Sequence, residues 1–172
     1  MSLLYPIFNL FRKVRRFIST FLTKRMLSKY GNGFISAKIA RIASTAKVFV
    51  ENDVSFNGMT ISGNGTVKIG SHFHSGENVK IMLGSHDYEY GDGLPYGLHT
   101  TEKHVCIDEY VWLGSDVIIS GNVHISEGAI VAIGSVVVKD VPKCAIVGGN
   151  PAKIIKYRDE ANYDKLKASL NV

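Results

Sequence analysis

Cysteine is almost missing from this chain. Its 172 residues hold only Cys106 and Cys144. Two thiols so far apart give no disulfide framework and no CxxC metal clip, so a reducing, cytosolic compartment is the default. Both read as small buried or half-buried thiols rather than as nucleophiles. Proline is scarce, four residues against seventeen glycines, a balance that suits turn-rich β structure. A long hydrophobic run is lacking too. The longest uncharged start, Met1 to Phe11, falls short of the about 20 apolar residues that span a bilayer. It does not read as a signal peptide either, because the apolar stretch precedes the charges and no small-residue cleavage site follows. Finally, residues 1–50 contain no acid at all.

What is present is a beat of six. From Ile107 the chain reads IDEYVW, LGSDVI, ISGNVH, ISEGAI, VAIGSV, VVKDVP. Ile107, Leu113, Ile119, Ile125, Val131 and Val137 open the units, and Val111, Val117, Val123, Ala129, Ser135 and Val141 hold the fifth place. Such a period fits neither an α-helix nor an alternating strand. It is the hexapeptide signature of a β-helix, whose coils each need neighbours to bury their inward face. Three units close one triangular coil, with the opening residue inward and the fifth place at a crowded corner. Further upstream, Ile42, Val48 and Val54 keep the step, and Ile61, Val67, Phe73 and Val79 continue it in shifted phase. At this length the fold buries roughly two-thirds of its unfolded surface.

The beat stops between His86 and His104. The stretch HDYEYGDGLPYGLHTTEKH is polar, aromatic and Gly-rich, and reads as a loop extruded from the prism, the usual carrier of function in a regular scaffold. After Pro142 the beat fades through GGNPAKIIKYR into a polar helix from about Asp159 to Leu170, acids first and lysines later, as the helix dipole favours. The expected organisation is a basic helical segment 1–33, a solenoid 34–157 with the loop at 86–104, and a C-terminal helix 158–172.

Charge divides the chain. Residues 1–50 carry ten Lys or Arg, while the remaining 122 carry ten against fifteen acids, so the net +5 is +10 in front and −5 behind. The front is also apolar at helical spacing: Leu4, Ile7, Phe8, Phe11, Val14, Phe17, Ile18, Phe21 and Leu22, with Arg12, Lys13, Arg15, Arg16, Lys24 and Arg25 between them. This is an amphipathic helix. Two readings stay open. Residues 1–30 lie on an anionic membrane surface, at the inner face if the protein is cytoplasmic, or the stripe packs on the solenoid or a neighbouring subunit. Nucleic acid is not an expected partner, since the basic residues are not set on a recognisable module.

These features together resemble the hexapeptide-repeat acyltransferases. This left-handed β-helix family includes galactoside, maltose, serine, xenobiotic and capsular-polysaccharide acetyltransferases. The carrying residues are Val111-Trp112-Leu113-Gly114-Ser115, the run Gly134 to Pro142, Gly149-Asn150-Pro151-Ala152-Lys153, and Phe73 to Asn78 followed by the single His86. The match covers roughly residues 50 to 158. It implies a homotrimer with acetyl-CoA bound between adjacent prisms, and a left-handed crossover, an exception to the usual rule.

The resemblance also implies residue roles. His86 falls at the place of the catalytic histidine, and imidazole suits a general base because it titrates near neutrality. Asp87, Glu89 or a backbone carbonyl would orient its ring. Ser115 matches an oxyanion donor, beside the reading of a corner serine that satisfies a turn. Trp112, the only tryptophan, faces outward as an interface anchor or a wall of the cofactor groove. Ala132, Gly134 and Ser135 match the pantetheine wall, with Lys139, Lys153, Lys156 and Arg158 as phosphate partners. Val138 stands where the family often has Thr, which removes a hydroxyl contact. Asn57 matches an acceptor contact, beside the reading of a turn asparagine. Tyr88, Tyr90 and Tyr96 suit stacking on a sugar, and Asp92 and Asp87 are further substrate-binding candidates, Asp92 for the sugar hydroxyls. The reaction expected is O-acetyl transfer from acetyl-CoA to a sugar or surface-glycan precursor. The alternatives are N-acetylation of an amino sugar or small xenobiotic, a non-catalytic trimeric scaffold, or a zinc enzyme of the same solenoid. No metal is expected, although the chain offers His72, His74, His86, His99, His104 and His124 as ligands, His99 and His104 at a suggestive five-residue spacing.

Overall fold

The computed structural model describes residues 4–170, with side chains from residue 8 onward; Leu4 and Ile7 of the N-terminal stripe therefore lie outside the described side chains. The six-residue beat becomes a three-sided parallel β-solenoid. Face A stacks β1 (Lys29–Tyr30), β4 (Ala46–Val50), β7 (Gly65–Ile69), β10 (Lys103–Ile107) and β13 (Val123–Ile125). Face B stacks β2 (Ile35–Ser36), β5 (Ser55–Asn57), β8 (His74–Glu77), β11 (Trp112–Leu113), β14 (Ile130–Val131), β16 (Ala145–Gly148) and β17 (Lys153–Tyr157). Face C stacks β3 (Arg41–Ile42), β6 (Thr60–Ser62), β9 (Lys80–Met82), β12 (Ile118–Ser120) and β15 (Val136–Val137). The chain passes A, B, C and returns to A. The first coil begins at β1, which already pairs with β4.

Register follows from burial. Val105 lies opposite Val123 and Ile107 opposite Ile125, so equivalent aliphatics stack from coil to coil. All six unit-opening residues and all six fifth-place residues of the late repeats are buried. Phe34, Phe56 and Phe73 form a second inner column, edge to face at 5.1 and 6.1 Å between centroids. Removing each such side chain from water stabilises the stack by roughly 1.5–3 kcal/mol. The corners demand left-handed backbone. At the A/B corner this falls on Asp53, His72 and Tyr110 in successive coils, then on Gly128. His72 and Tyr110 stack there at 4.6 Å, so His72 serves the corner. At the B/C corner the Asn78 Nδ2 donates to Asp116 Oδ1 at 2.7 Å.

Both ends of the stack are dressed. At the C-terminal end β17 folds back antiparallel on β16, the one reversed pairing among the described strands. Helix α2 (Glu160–Leu170) then returns to the A/B corner, with the Asp159 carboxylate accepting from the Asn162 amide as a cap. Tyr163 is buried against Gly128, where any larger residue would strike its ring. Its hydroxyl donates to Glu127, and the Lys167 ammonium bridges Glu109 and Glu127 at 2.7 and 2.9 Å.

At the other end lies α1 (Leu4–Lys24). Its seat on the solenoid is polar. Ser19 and Thr23 are buried, Thr20 Oγ1 accepts from the Ser36 amide at 2.9 Å, and Thr23 Oγ1 accepts from the Ala40 amide at 3.1 Å. The apolar stripe points the other way, so within one chain it does not pack on the prism.

Candidate functional site

The loop leaves face C after β9 and rejoins face A at β10, so it grows from the C/A corner. Its neck is a short antiparallel ladder. The Thr101 amide donates to the Ser85 carbonyl at 2.9 Å, and the Asp87 amide to the His99 carbonyl at 3.0 Å. His86 sits between these two bonds, opposite Thr100. Its backbone is thus tied down while its side chain stays exposed. The imidazole lies on the Tyr96 ring, centroids 3.9 Å apart and planes 17° from parallel.

The neighbouring loop residues divide the labour. Asp87 Oδ1 accepts from the amides of Glu89 and Tyr90, so it closes the first turn of the loop. Asp92 abuts Gly97, whose missing side chain makes room for it. Tyr88 and Tyr90 are strongly exposed. Tyr96 spends one ring face on His86.

A groove of about 560 Å³ begins where the loop rejoins the prism, lined by Thr66, Lys68, His104, Asn122, His124 and Asp140 on the outer surface of face A. Within it, Cys106 and His124 face each other across β10 and β13. Asp108 accepts from or pairs with His124 Nε2 at 2.9 Å and lies 3.9 Å from Cys106 Sγ. These three are the one group among the described residues whose His, Cys and carboxylate donors lie close enough together, within 4.8 Å, to hold a metal ion. Burial pushes the Cys106 thiol up, and the Asp108 charge pushes it further. Asp108 contacts both other side chains, so the trio forms a hydrogen-bonded cluster on the outer surface of face A. The signal for it was in the sequence: positions one full coil apart land side by side.

The remaining candidates lie elsewhere. Ser115 is at the B/C corner, and its Oγ accepts from the Glu77 amide at 3.1 Å, a turn contact. Ser135, one coil on, is buried and donates to the Ala132 carbonyl at 2.6 Å. Gly134 between them has φ of +70° and open space beyond its Cα. Asn57 ends β5 at the same corner, its amide bonded to Ser75 Oγ. Trp112 is 55% exposed on face B, in register with His74 and Ile130. The four cations do not gather. Lys153 opposes Gly148 next to Ala132, and Lys156 follows midway along β17, both exposed. Lys139 stands after β15, toward the C/A corner. Arg158 donates to the Gly128 carbonyl and stacks on Tyr163, so it fastens α2. The structure therefore brings together Ser115, Ala132, Gly134, Ser135 and Lys153 on one edge, and sets His86 on another, with the breadth of face C between.

No family model matches the sequence. Individual proteins do. Serine acetyltransferase 2 of Arabidopsis thaliana is 48% identical over 64 residues, 37% of this chain and 20% of that protein. Galactoside O-acetyltransferase of Lactococcus lactis is 28% identical over 144 residues, 83% of this chain and 69% of that one. Among solved structures, the hexapeptide-repeat acetyltransferase of Vibrio cholerae complexed with acetyl-CoA superposes with a TM-score of 0.60 at 24% identity, over 78% of this chain and 73% of that chain. The chain resembles the hexapeptide-repeat acetyltransferases in sequence and in fold. It spans only a fifth of the first of these relatives, so what carries over from it is the repeat region.

Proposed function

We propose that the protein transfers an acetyl group from acetyl-CoA to a hydroxyl of a sugar, with His86 as general base at a site shared between two copies of the chain. The observation that carries this reading is the separation just described. An exposed, backbone-anchored imidazole stands on the C/A edge, while the open Gly134 corner with Lys153 stands on the B/C edge of the same prism. Two prisms side by side, within a homotrimer, would set one edge against the other.

In this reading a ring nitrogen of His86 takes the proton of the acceptor hydroxyl as its oxygen attacks the thioester carbonyl. A tetrahedral oxyanion forms and collapses, the carbon–sulfur bond breaks, and the proton passes from the imidazolium to the departing thiolate. The Ser115 backbone or hydroxyl is the nearest oxyanion candidate on the facing edge. The Gly134 corner leaves room for a pantetheine arm along Ala132 to Ser135, with Trp112 on the outer wall. Lys153 and Lys156 supply charge for the phosphates, Lys139 from the adjoining edge. Tyr88 and Tyr90 offer free ring faces to a sugar, and Asp92 and Asn57 offer hydrogen bonds to its hydroxyls. The name of the galactoside relative supports a sugar acceptor and an oxygen nucleophile.

The test is acetyl transfer over an acceptor panel with His86→Ala. Turnover should fall by about a thousandfold, the middle of the range for a general base, while acetyl-CoA binding by calorimetry stays within about twofold. Normal turnover by the variant would remove the base assignment, and a monomer by sedimentation would remove the shared site.

A further inference from the structure

The N-terminal helix presents a large apolar surface that the solenoid does not use. Phe8, Leu10, Phe11, Val14, Phe17 and Phe21 are all exposed, Phe17 at 73%. At about 100° per residue they fall within one half of the helix. Ser19, Thr20 and Thr23, which seat α1 on the first coil, occupy the opposite half. Lys13 and Arg15 flank the apolar half on its two sides, with Arg12 and Arg16 behind them. An amphipathic helix normally buries its apolar side against its own protein. Here the hydroxyls do the docking and the aromatics face out.

Two occupants suit such a face, a second copy or a lipid surface, and charge decides between them. The helix and its exit carry Arg12, Lys13, Arg15, Arg16, Lys24 and Arg25, and residues 1–50 hold no acid to pair with them. Bringing copies together through this face would crowd cations against cations in a low-dielectric seam. Anionic headgroups supply the missing countercharge, and the acyl boundary receives the aromatics. No described helix is long and apolar enough to cross a membrane, so the geometry is that of a helix lying in the surface.

We infer that α1 docks the protein onto an anionic bilayer surface, aromatic half toward the acyl chains and Lys13 and Arg15 at phosphate level. The docking leaves the loop and both edges of the proposed acetyl-transfer site on the solenoid, and it does not depend on that chemistry.

The experiment is co-sedimentation of the full chain with vesicles of phosphatidylcholine alone and of equimolar phosphatidylcholine and phosphatidylglycerol. The full chain should pellet with the anionic vesicles and much less with the neutral ones. Phe11→Ser with Phe17→Ser should weaken partitioning by about a hundredfold. Lys13→Gln and Arg15→Gln should each weaken it by about fivefold. Circular dichroism and gel filtration should be unchanged for every variant, since these side chains are exposed. Absence of pelleting with either vesicle would overturn the inference. So would a double Phe variant that pellets normally, or one that splits a larger assembly into smaller ones, which would assign the face to contact between copies.

Discussion

Tyr96 lies flat under the His86 imidazole, 3.9 Å between ring centres. The two residues are ten apart, and the loop must turn back on itself to let them meet. An exposed imidazole on a surface loop would otherwise sample several rotamers, so Tyr96 is the group that holds the ring. Tyr96→Ala is expected to lower kcat roughly fivefold, from loss of about 1 kcal/mol of ring contact. Tyr96→Phe should retain activity. A steady-state comparison of the two checks it, and equal loss in both would assign the role to the hydroxyl instead.

The edge-to-edge site makes a stricter prediction. His86→Ala and a Gly134→Asn, Lys153→Glu double variant damage different edges. Asn accepts the positive φ of Gly134 better than most residues, so the corner should keep its shape while the groove fills. Each variant alone should be nearly inactive. Denatured together and refolded as mixed assemblies, they should regain part of the activity. No recovery would place both half-sites within one chain.

The seat of α1 can be tested through Thr23, which is buried and accepts the Ala40 amide hydrogen. Thr23→Val keeps the shape and strands that amide. A loss of about 1–3 kcal/mol is expected, seen as a lowered melting temperature, whereas Phe17→Ser on the outer side should leave stability unchanged.

Acid should loosen the C-terminal helix. Burial alone would raise the Glu127 carboxyl, but hydrogen bonds from Lys167 and Tyr163 outweigh it and hold the group below its ordinary value of 4.5. A carboxylate lowered in the folded state contributes stability that is complete above its unfolded value and is lost as pH falls through the folded one. Melting temperature should thus decline below about pH 4.5, and Glu127→Gln should lower the neutral plateau while flattening that acid limb. Tyr163→Phe should cost about 1 kcal/mol at neutral pH.

The solenoid was legible because its signal is repetitive: Leu113, Ile119 and Ile125 each point inward for one reason, and each occurrence reinforces the next. The loop position was legible as a break in that beat, and His86 as the residue at its foot. The loop's interior was not, because the Tyr96 contact depends on the path of a non-repeating segment. The spread of the cations was not legible: Lys139 belongs to the last repeat and lies toward the C/A corner, whereas Lys153 and Lys156 sit on β17, which folds back on face B. The pattern of α1 leaves its partner open between a membrane surface and a packed seam. Hydrophobic patterning says which side avoids water, but the Thr20 and Thr23 hydroxyls, matched to Ser36 and Ala40, decide which side meets the prism.

The reversed strand β17 also changes one rim of the stack. A stack of parallel strands with a bare rim invites another stack to continue it, rung upon rung, without limit. Here the face B rim ends in a strand running backwards, studded with Lys153 and Lys156, and α1 lies against β2 at the opposite end of the same face. Head-to-tail continuation along face B is thereby disfavoured at both ends of the stack.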